Sequence, residues 1–554
     1  MEYSCLQLND LPDEILLIIF KKVNNVSLLY SLFDANKRFN KILYDPIFTS
    51  RLSLLNRDSN DCIYRLFDPI LDRYCLQILP KIRHKMEWVN LESSSMTRIL
   101  LCTDYPNLYG LGLYNLDKQK AKQLVSDETL LFHKFKSKIL SLVIQTIQNG
   151  HLSIKENVNT FIFTHIFTMF TNLQYLNFAS SFMSYQRLLF GLSPPSVFSS
   201  NLLELHVDLD QFTDCLYLLD GRFNQLRKLY VNIDTIIPSR LVIDNKEKLS
   251  NLRCFVIYSD FVIYTYDELI VPLLHRMSNL EELTLDLTVL NRKTFIDGNN
   301  LKDIIDHMIQ LKQFTFNIHS TITLNNQINL PFNENIQNSF KEFKHNQIIC
   351  CVNYFSETVK GQCRIYSCPY ISKEYTNITN NFPGGLFECV RQISLYDEHP
   401  FEHEFFLRIA QSFPLMKKLT LVNKKAQKNK SKDDHQNLII AKYPHLKDID
   451  LYQAHEDYIE QFLLNTKTCL LYNVELVTDH QLLEKVTHNF RRDATRINCS
   501  KINYLSILIC TTLNDLRDVT HNIHYENYRY KKLSSFNGNH TKNDKTLQTS
   551  SVNK

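Results

Sequence analysis

Apolar residues recur along much of the chain at relative positions 0, 3 and 5, and mostly polar residues separate them. In an extended strand, positions 3 and 5 lie on one side, so we expect them to be buried together, while positions 2, 4 and 6 face outward. Position 0 is expected to enter the same core from the preceding turn. The clearest copies are Leu173/Leu176/Phe178, Leu202/Leu205/Val207, Leu226/Leu229/Val231, Leu252/Phe255/Ile257, Leu280/Leu283/Leu285, Leu311/Phe314/Phe316, Met416/Leu419/Leu421 and Leu446/Ile449/Leu451.

The six central copies follow one another at intervals of 24 to 31 residues, and several are preceded by Asn. Stretches typical of helices lie between them, such as Asp267 to Leu274. This pattern resembles a divergent leucine-rich repeat, whose unit is one strand and one helix. The resemblance implies an irregular α/β solenoid with parallel strands on the concave side and helices on the convex side. A helical solenoid is the alternative, but β-prone runs such as Leu285 to Val289 favour strands.

The repeat is interrupted after Phe316 and resumes near Val390. Within this interval, loosely alternating residues predict a hairpin with strands over 347–355 and 362–370 and a turn near Val359-Lys360-Gly361. Weaker copies of the repeat extend the pattern on both sides, for example Leu471/Val474/Leu476 and Ile502/Leu505/Ile507. The last residues are polar and rich in Ser, Thr, Asn and Lys, a composition typical of disorder.

The first fifty residues follow a different, helical period. Pro12 suits the first position of a helix, where its missing N–H costs nothing, and Asp13 and Glu14 suit the positive end of the helix dipole. Apolar residues then recur to Val23 at helical spacing, and a stretch of about forty residues is too small to bury them all by itself. Some of them must meet the rest of the chain or another protein.

This segment resembles an F-box over residues 6–48. The resemblance lies in the start Leu11-Pro12-Asp13-Glu14-Ile15-Leu16, a second apolar helix capped near Ser27, and the later Lys37-Arg38-Phe39; the sequence departs from the family pattern at Asp34-Ala35, where Val-Cys is common. It implies three helices that dock on the Skp-type adaptor of a cullin–RING ubiquitin ligase. An N-terminal helical cap with its apolar residues facing inward is the alternative. The residues that the resemblance places at or near the adaptor are Leu11, Pro12, Ile15, Leu16, Ile19 and Phe20.

The outward positions of the repeated strands form the surface that we expect to recognise a target protein. They are polar, with several tyrosines and acids, and tyrosine offers a large contact area with few rotatable bonds. An ordinary solvated sheet face is the alternative at any single position. The target-binding candidates are Tyr175, Glu204, His206, Tyr230, Tyr258, Glu282 and Asp286.

The composition of the chain argues against several classes of partner and binding site. The formal net charge is only +4, and the basic residues are spread along the chain, so we expect no nucleic-acid partner. Glycine is scarce, with 10 residues in 554, and no glycine-rich phosphate-binding motif is present; Gly110-Leu111-Gly112 is interpreted as part of a strand. No secretory signal or apolar run of membrane-spanning length is found, so we expect no membrane association and a cytoplasmic and/or nuclear location.

Four of the 14 cysteines lie close together, at Cys350, Cys351, Cys363 and Cys368, with His345 nearby. They contain no Cys-x-x-Cys pair, so buried thiols in a strand pair are favoured over a zinc site. We expect no metal, no cofactor and no catalytic residue.

Together these patterns predict a substrate-receptor subunit of an SCF-type ubiquitin ligase, an adaptor without enzymatic activity of its own. A stand-alone leucine-rich-repeat scaffold that binds proteins without ligase assembly is the rival. The expected organisation is an F-box over 1–50, repeats over 51–320, an insertion over 321–389, further repeats over 390–525 and a disordered tail over 526–554.

Overall fold

The computed structural model describes residues 8–58, 62–125, 134–147, 157–180, 187–191, 193–238, 247–324, 330–343, 347–429, 439–471, 473–507 and 531–532. The predicted tail therefore lies almost wholly outside the described residues. The chain divides into two compact units, residues 1–321 and 322–554. This division lies one residue from the position at which the repeat was predicted to give way to an insertion. The N-terminal helices belong to the first unit.

The first unit opens with four short helices, after which helices are interspersed among the strands. The helices are α1 Asp13–Phe20, α2 Asn25–Leu32, α3 Lys37–Leu43, α4 Pro46–Thr49, α5 Asp68–Arg73, α6 Leu79–Ile82, α7 Met96–Leu101, α8 Lys118–Val125, α9 Val158–Met169, α10 Phe212–Leu218, α11 Val271–His275 and α12 Gly298–Ile305. The strands are β1 Arg51–Arg57, β2 Ile63–Arg65, β3 Trp88–Glu92, β4 Gly110–Leu116, β5 Ser141–Thr146, β6 Tyr175–Ser180, β7 Glu204–Gln211, β8 Lys228–Thr235, β9 Cys254–Ile263, β10 Glu282–Arg292 and β11 Gln313–Thr323. Single π-helical turns precede α6, over Tyr74–Ile78, and α11, over Tyr266–Ile270.

The strands of this unit lie side by side in the order β2-β1-β3-β4-β5-β6-β7-β8-β9-β10-β11. Neighbours from β1 and β3 through to β10 are parallel, whereas β2 is antiparallel to its neighbour β1. Sequential parallel strands need crossover connections, and the helices between them supply several of these. The fold is therefore mixed α/β with a large, mostly parallel sheet, as the sequence predicted at this coarser level.

The predicted burial pattern is confirmed for nearly every clear copy of the repeat. In the central copy, Leu280, Leu283 and Leu285 have no exposed surface, and the corresponding residues of the copy that contains β9 are at most 3% exposed. Ile502, at the start of a strand, is only partly buried, and the pattern was wrong at two turn positions. Leu311 is only half-buried, and Leu471 is 44% exposed while the preceding Leu470 is buried in its place. Position 0 lies in a turn, where the alternation of a strand no longer dictates which way a side chain points.

Asparagines before the strands join successive turns to one another. The side-chain amide of Asn201 donates a 2.9 Å hydrogen bond to the carbonyl of Thr171, one turn earlier in the stack. The bond is exposed to solvent, so it links two successive turns but does not satisfy a buried acceptor. Three further asparagines make the same contact: Asn172 with Ser137, Asn251 with Asn224 and Asn279 with Ser250.

The second unit contains a parallel sheet and a hairpin that is not part of that sheet. Its helices are α13 Asn333–Ser339, α14 His403–Ser412, α15 Glu456–Leu463, α16 His480–Val486 and α17 Asp493–Cys499. Its strands are β12 Ile348–Phe355, β13 Lys360–Ser367, β14 Glu374–Ile378, β15 Gln392–Tyr396, β16 Lys418–Val422, β17 Ala441–Lys442, β18 Asp448–Asp450, β19 Thr468–Cys469, β20 Val474–Thr478, β21 Ile502–Ile507 and β22 Lys531–Lys532. The sheet order is β14-β15-β16-β18-β20-β21-β22, parallel as far as β21.

The predicted hairpin is present as the antiparallel pair β12 and β13, closed where Phe355 faces Lys360. The turn lies over 356–359, slightly earlier than predicted. The carboxylate of Glu398 holds this turn by accepting 2.8 Å hydrogen bonds from the backbone N–H groups of Glu357 and Thr358. Partial burial opposes ionisation of Glu398, but these bonds outweigh it and lower the pKa of the carboxyl group.

Candidate functional site

Helix α1 is apolar on two sides, and only one of them is buried. Leu16 and Phe20, one helical turn apart, have 0% and 1% exposure. The Phe20 ring packs edge-on against Phe39 of α3, with centroids 5.8 Å apart. Leu16 and Phe20 were predicted at or near the adaptor contact, but the helical period turns their side chains into the core.

The other side of α1 presents isoleucines to solvent. Ile15, Ile18 and Ile19 are 42%, 57% and 37% exposed, and Val23, three residues after the end of α1, is 41% exposed. We call these four residues the α1 patch. Ile15, Ile18 and Ile19 lie three and four residues apart, so they share a helix face. Sequence reasoning selected Ile15 and Ile19 but left out Ile18 and Val23, because a continuous apolar run does not show which residues remain outside. Of the other predicted residues, Pro12 is exposed and Leu11 is half-buried.

Arg38 explains the link between the Leu-Pro start and the later Lys-Arg-Phe. Its guanidinium donates to the Asp13 carboxylate at 2.6 Å and to the backbone carbonyls of Asn9 and Leu11 at 2.7 and 2.5 Å. A planar group with five donors suits such a three-point contact. These bonds hold the segment before α1 against α3, while the adjacent Phe39 enters the core.

The loop between α2 and α3 contains Asp34-Ala35, where the sequence departs from the F-box pattern that it resembles. Asp34 has a φ of 64°, a left-handed conformation that a β-branched residue such as Val strongly disfavours. Its carboxylate forms a 2.6 Å ion pair with Lys81 near the end of α6, and that hydrogen bond lowers its pKa. The predicted cap of α2 at Ser27 was wrong: Asn24 caps the helix by accepting from the N–H of Val26.

The second candidate surface is formed by the outward positions of β6 to β10, which we call the strand face. Every predicted target-binding residue lies on it. Parallel pairing aligns residues from successive strands into rows. The first row is Tyr175, Glu204, Lys228, Cys254 and Glu282; the second is Asn177, His206, Tyr230, Val256 and Thr284; the third is Asp208, Asn232, Tyr258 and Asp286.

An aromatic stack occupies the first two rows. The His206 ring lies flat on Tyr230, with centroids 4.0 Å apart and an interplanar angle of 4°, and contacts Tyr175 at 5.4 Å. The Nε2 atom of His206 lies 2.8 Å from Glu204 Oε1, which fixes the plane of the imidazole. Burial raises the pKa of Tyr230 above its usual range and that of the neighbouring Cys254 thiol to about 11. Both groups are thus neutral at physiological pH.

Tyr258 and Asp286 form a second pair in the third row. They are register partners on β9 and β10, and the Asp286 carboxylate accepts a 2.7 Å hydrogen bond from the amide of Asn317. Burial raises the pKa of Tyr258, and the negative charge of Asp286 adds to the effect. The stack and this pair place aromatic rings next to carboxylates on the same sheet face.

A tryptophan lies across the sheet upstream of the strand face. A Cβ atom built on Gly110 would come within 1.9 Å of Cε3 of Trp88, so the indole covers Gly110 on the adjacent strand. Its Nε1 donates a 2.7 Å hydrogen bond to Asn90 Oδ1. Sequence reasoning placed Gly110 in a strand correctly but missed this contact, since only the register brings the two residues together.

We expect Gly110→Val to displace the Trp88 indole and to destabilise the first unit by about 1–3 kcal/mol. Trp88 is the only tryptophan of the chain, so its fluorescence reports the change directly. The emission maximum should shift to longer wavelength and acrylamide quenching should increase. Gly221→Ala is the control: it introduces strain at a φ of 97° but meets no atom within 4 Å, and it should leave the spectrum of the folded protein unchanged. An unshifted Gly110→Val spectrum would contradict the Trp88 placement.

The cysteine cluster does not form a metal centre in the described part of the chain. Cys350 and Cys351 are adjacent in β12, so their side chains lie on opposite faces of the strand. Cys351 and Cys363 are buried. His345 lies outside the described residues. No group of three or more His, Cys, Asp and Glu side chains able to hold a metal is found among those the structure describes.

None of the described helices has the length and apolarity needed to cross a bilayer. Comparison with protein-family models gave no match to this chain, and comparison with curated proteins gave none either.

Proposed function

We propose that this protein is a non-catalytic substrate-receptor subunit of an SCF-type cullin–RING ubiquitin ligase. In this proposal the first fifty residues are an F-box, the strand–helix units are divergent leucine-rich repeats, and the protein acts in the cytoplasm and/or nucleus. The α1 patch docks on a Skp-type adaptor, and the strand face binds a target protein. The observation that carries the proposal is the α1 patch, exposed apolar surface on a helix whose opposite side already fills the core.

The physical argument rests on how a surface such as the α1 patch is used. Exposure of three isoleucines on one helix face to water is unfavourable. A partner that covers them stabilises the complex by about 25 cal/mol per Å² of buried apolar area. The Arg38 contacts keep the preceding Leu11-Pro12 segment in place beside the patch. The surface is therefore organised before binding, which reduces the entropy lost on association.

The proposed mechanism is proximity. The chain would hold a target on the strand face while the adaptor, cullin and RING subunits bring a charged ubiquitin-conjugating enzyme. Tethering raises the effective concentration of target lysines near the thioester. No residue of this chain is assigned a role in bond chemistry.

The rival is a stand-alone protein-binding scaffold in which the N-terminal helices only cap the repeats. The contacts that favour it join these helices to the strand–helix units. The Tyr74 hydroxyl donates to the carbonyl of Val26 at 2.6 Å, and an Arg73 guanidinium N–H donates to that of Phe33 at 3.1 Å. A cap would need such contacts, but it would not need an exposed isoleucine face.

Capture of the adaptor tests the proposal. The tagged full chain should recover the Skp-type adaptor and the cullin from cell extract, and Ile15→Asp/Ile19→Asp should reduce recovery at least about tenfold, because interface centres contribute about 2 kcal/mol or more per anchor. Ile497→Asp, at an isoleucine 51% exposed in the second unit, is the matched control and should bind normally. Failure of the wild-type chain to recover the adaptor would overturn the ligase role and favour the scaffold.

A further inference from the structure

The strand face carries a charge opposite to that of the whole chain. Six carboxylates occupy outward positions of β7, β8 and β10, at Glu204, Asp208, Asp210, Asp234, Glu282 and Asp286. Among the described side chains, Lys228 lies 3.7 Å from Glu204, and Arg187 lies 3.3 Å from Asp234. The chain as a whole has a formal net charge of +4, so the negative charge is concentrated on this surface. Such a face attracts cationic segments and repels phosphate backbones.

Aromatic rings lie among these carboxylates. The stack of Tyr175, His206 and Tyr230 borders Glu204, and Tyr258 borders Asp286. A guanidinium group interacts favourably with both features at once, since it stacks on a tyrosine face and donates two parallel hydrogen bonds to a neighbouring carboxylate. An ammonium group is more strongly hydrated and lacks the planar fork, so it fits this combination less well.

The side chains that form these rows are already positioned. His206 is held by Glu204 and by Tyr230, and Asp286 is held by Asn317. Two residues of β9 in the first two rows, Cys254 and Val256, are only 2% and 6% exposed. The neighbouring side chains therefore cover this part of the strand face. A ligand would therefore contact a ready-made surface of rings and carboxylates.

We propose that the strand face binds a basic, arginine-bearing segment of a partner protein, with guanidinium groups meeting Tyr258 and Asp286 in the third row and Glu282 in the first. This inference rests on the proposed function in taking the strand face as the target-binding surface. It adds the chemical class of the segment that is bound.

Selection from a random 12-residue peptide library displayed on phage tests the inference, with the full-length chain immobilised. The wild-type chain should enrich peptides that contain arginine. Glu282→Lys/Asp286→Lys should reduce recovery of these peptides about tenfold, because it replaces attraction with repulsion at two positions. Glu268→Lys/Asp303→Lys makes the same charge change at exposed positions outside the strand face and should select the same peptides as wild type. Acidic or arginine-free selected peptides, or equal recovery by the Glu282/Asp286 variant, would overturn the inference.

A selected peptide, labelled with fluorescein, then separates charge from stacking. Tyr258→Leu should weaken its binding about two- to fivefold, the loss expected for one exposed cation–π contact. Replacing its arginines with lysines should weaken binding to the wild-type chain, and equal affinity of the two peptides would refute the preference for guanidinium. Adaptor capture is a separate measurement: its loss with arginine-peptide binding retained removes the ligase role alone, and the reverse removes this inference alone.

Discussion

Leu283→Asp is expected to lower the free energy of unfolding of the first unit by about 4 kcal/mol or more. Leu283 has no exposed surface and lies on β10, between β9 and β11. The substitution removes a buried leucine, which typically costs 2–5 kcal/mol, and adds a carboxylate that must stay unpaired or take up a proton. Denaturant unfolding followed by Trp88 fluorescence measures the effect, because Trp88 belongs to the same unit.

Glu282→Lys is the matched control at the adjacent residue. Glu282 is exposed on the strand face, so this change should alter stability by no more than about 0.5 kcal/mol. The two variants differ by one position along β10 and therefore test its register, since side chains of a strand alternate between faces. Equal loss of stability in the two variants would show that the register is wrong.

Leu16→Ala is expected to destabilise the N-terminal helices by about 2–5 kcal/mol. Leu16 has no exposed surface, and the cavity left by its side chain would lie among the packed helices of the segment. Thermal unfolding followed by circular dichroism should show the loss as an earlier transition.

Ile15→Ala separates folding from partner binding on the same helix. Ile15 is 42% exposed, so its truncation should change stability by less than about 0.5 kcal/mol while weakening adaptor capture. Comparable destabilisation by Ile15→Ala and Leu16→Ala would mean that α1 buries both sides, which would favour the role of a helical cap.

The burial of the strands was predictable because it depends on a local rule. Alternation along a strand determines which side chains share a face, and Leu229 and Val231 are buried as that rule requires. The position of the hairpin was predictable for a related reason, since two β-prone runs flank a single turn. Helix boundaries were less certain: Ser27 and Asn24 are both good caps, and only the packing of α2 selects Asn24.

The contacts within the strand face could not be derived from the repeat alone. His206 and Tyr230 are 24 positions apart, and their stacking follows from the parallel register of β7 and β8. The same holds for Trp88 over Gly110 and for Asn317 with Asp286. In each case, loops of different length connect the strands, and the pairing depends on how the buried residues of neighbouring strands align.

The sequence by itself determined the alternation of strands and helices, the side of each strand that is buried, and the presence of more apolar surface on the N-terminal helices than they can bury. These follow from the period of the apolar residues. Only the tertiary structure decided that Leu16 and Phe20 face the core while Ile15, Ile18 and Ile19 remain exposed. The reason is physical: a helix that is apolar on both sides can pack either side inward, and the choice depends on partners such as Phe39 that are distant along the chain.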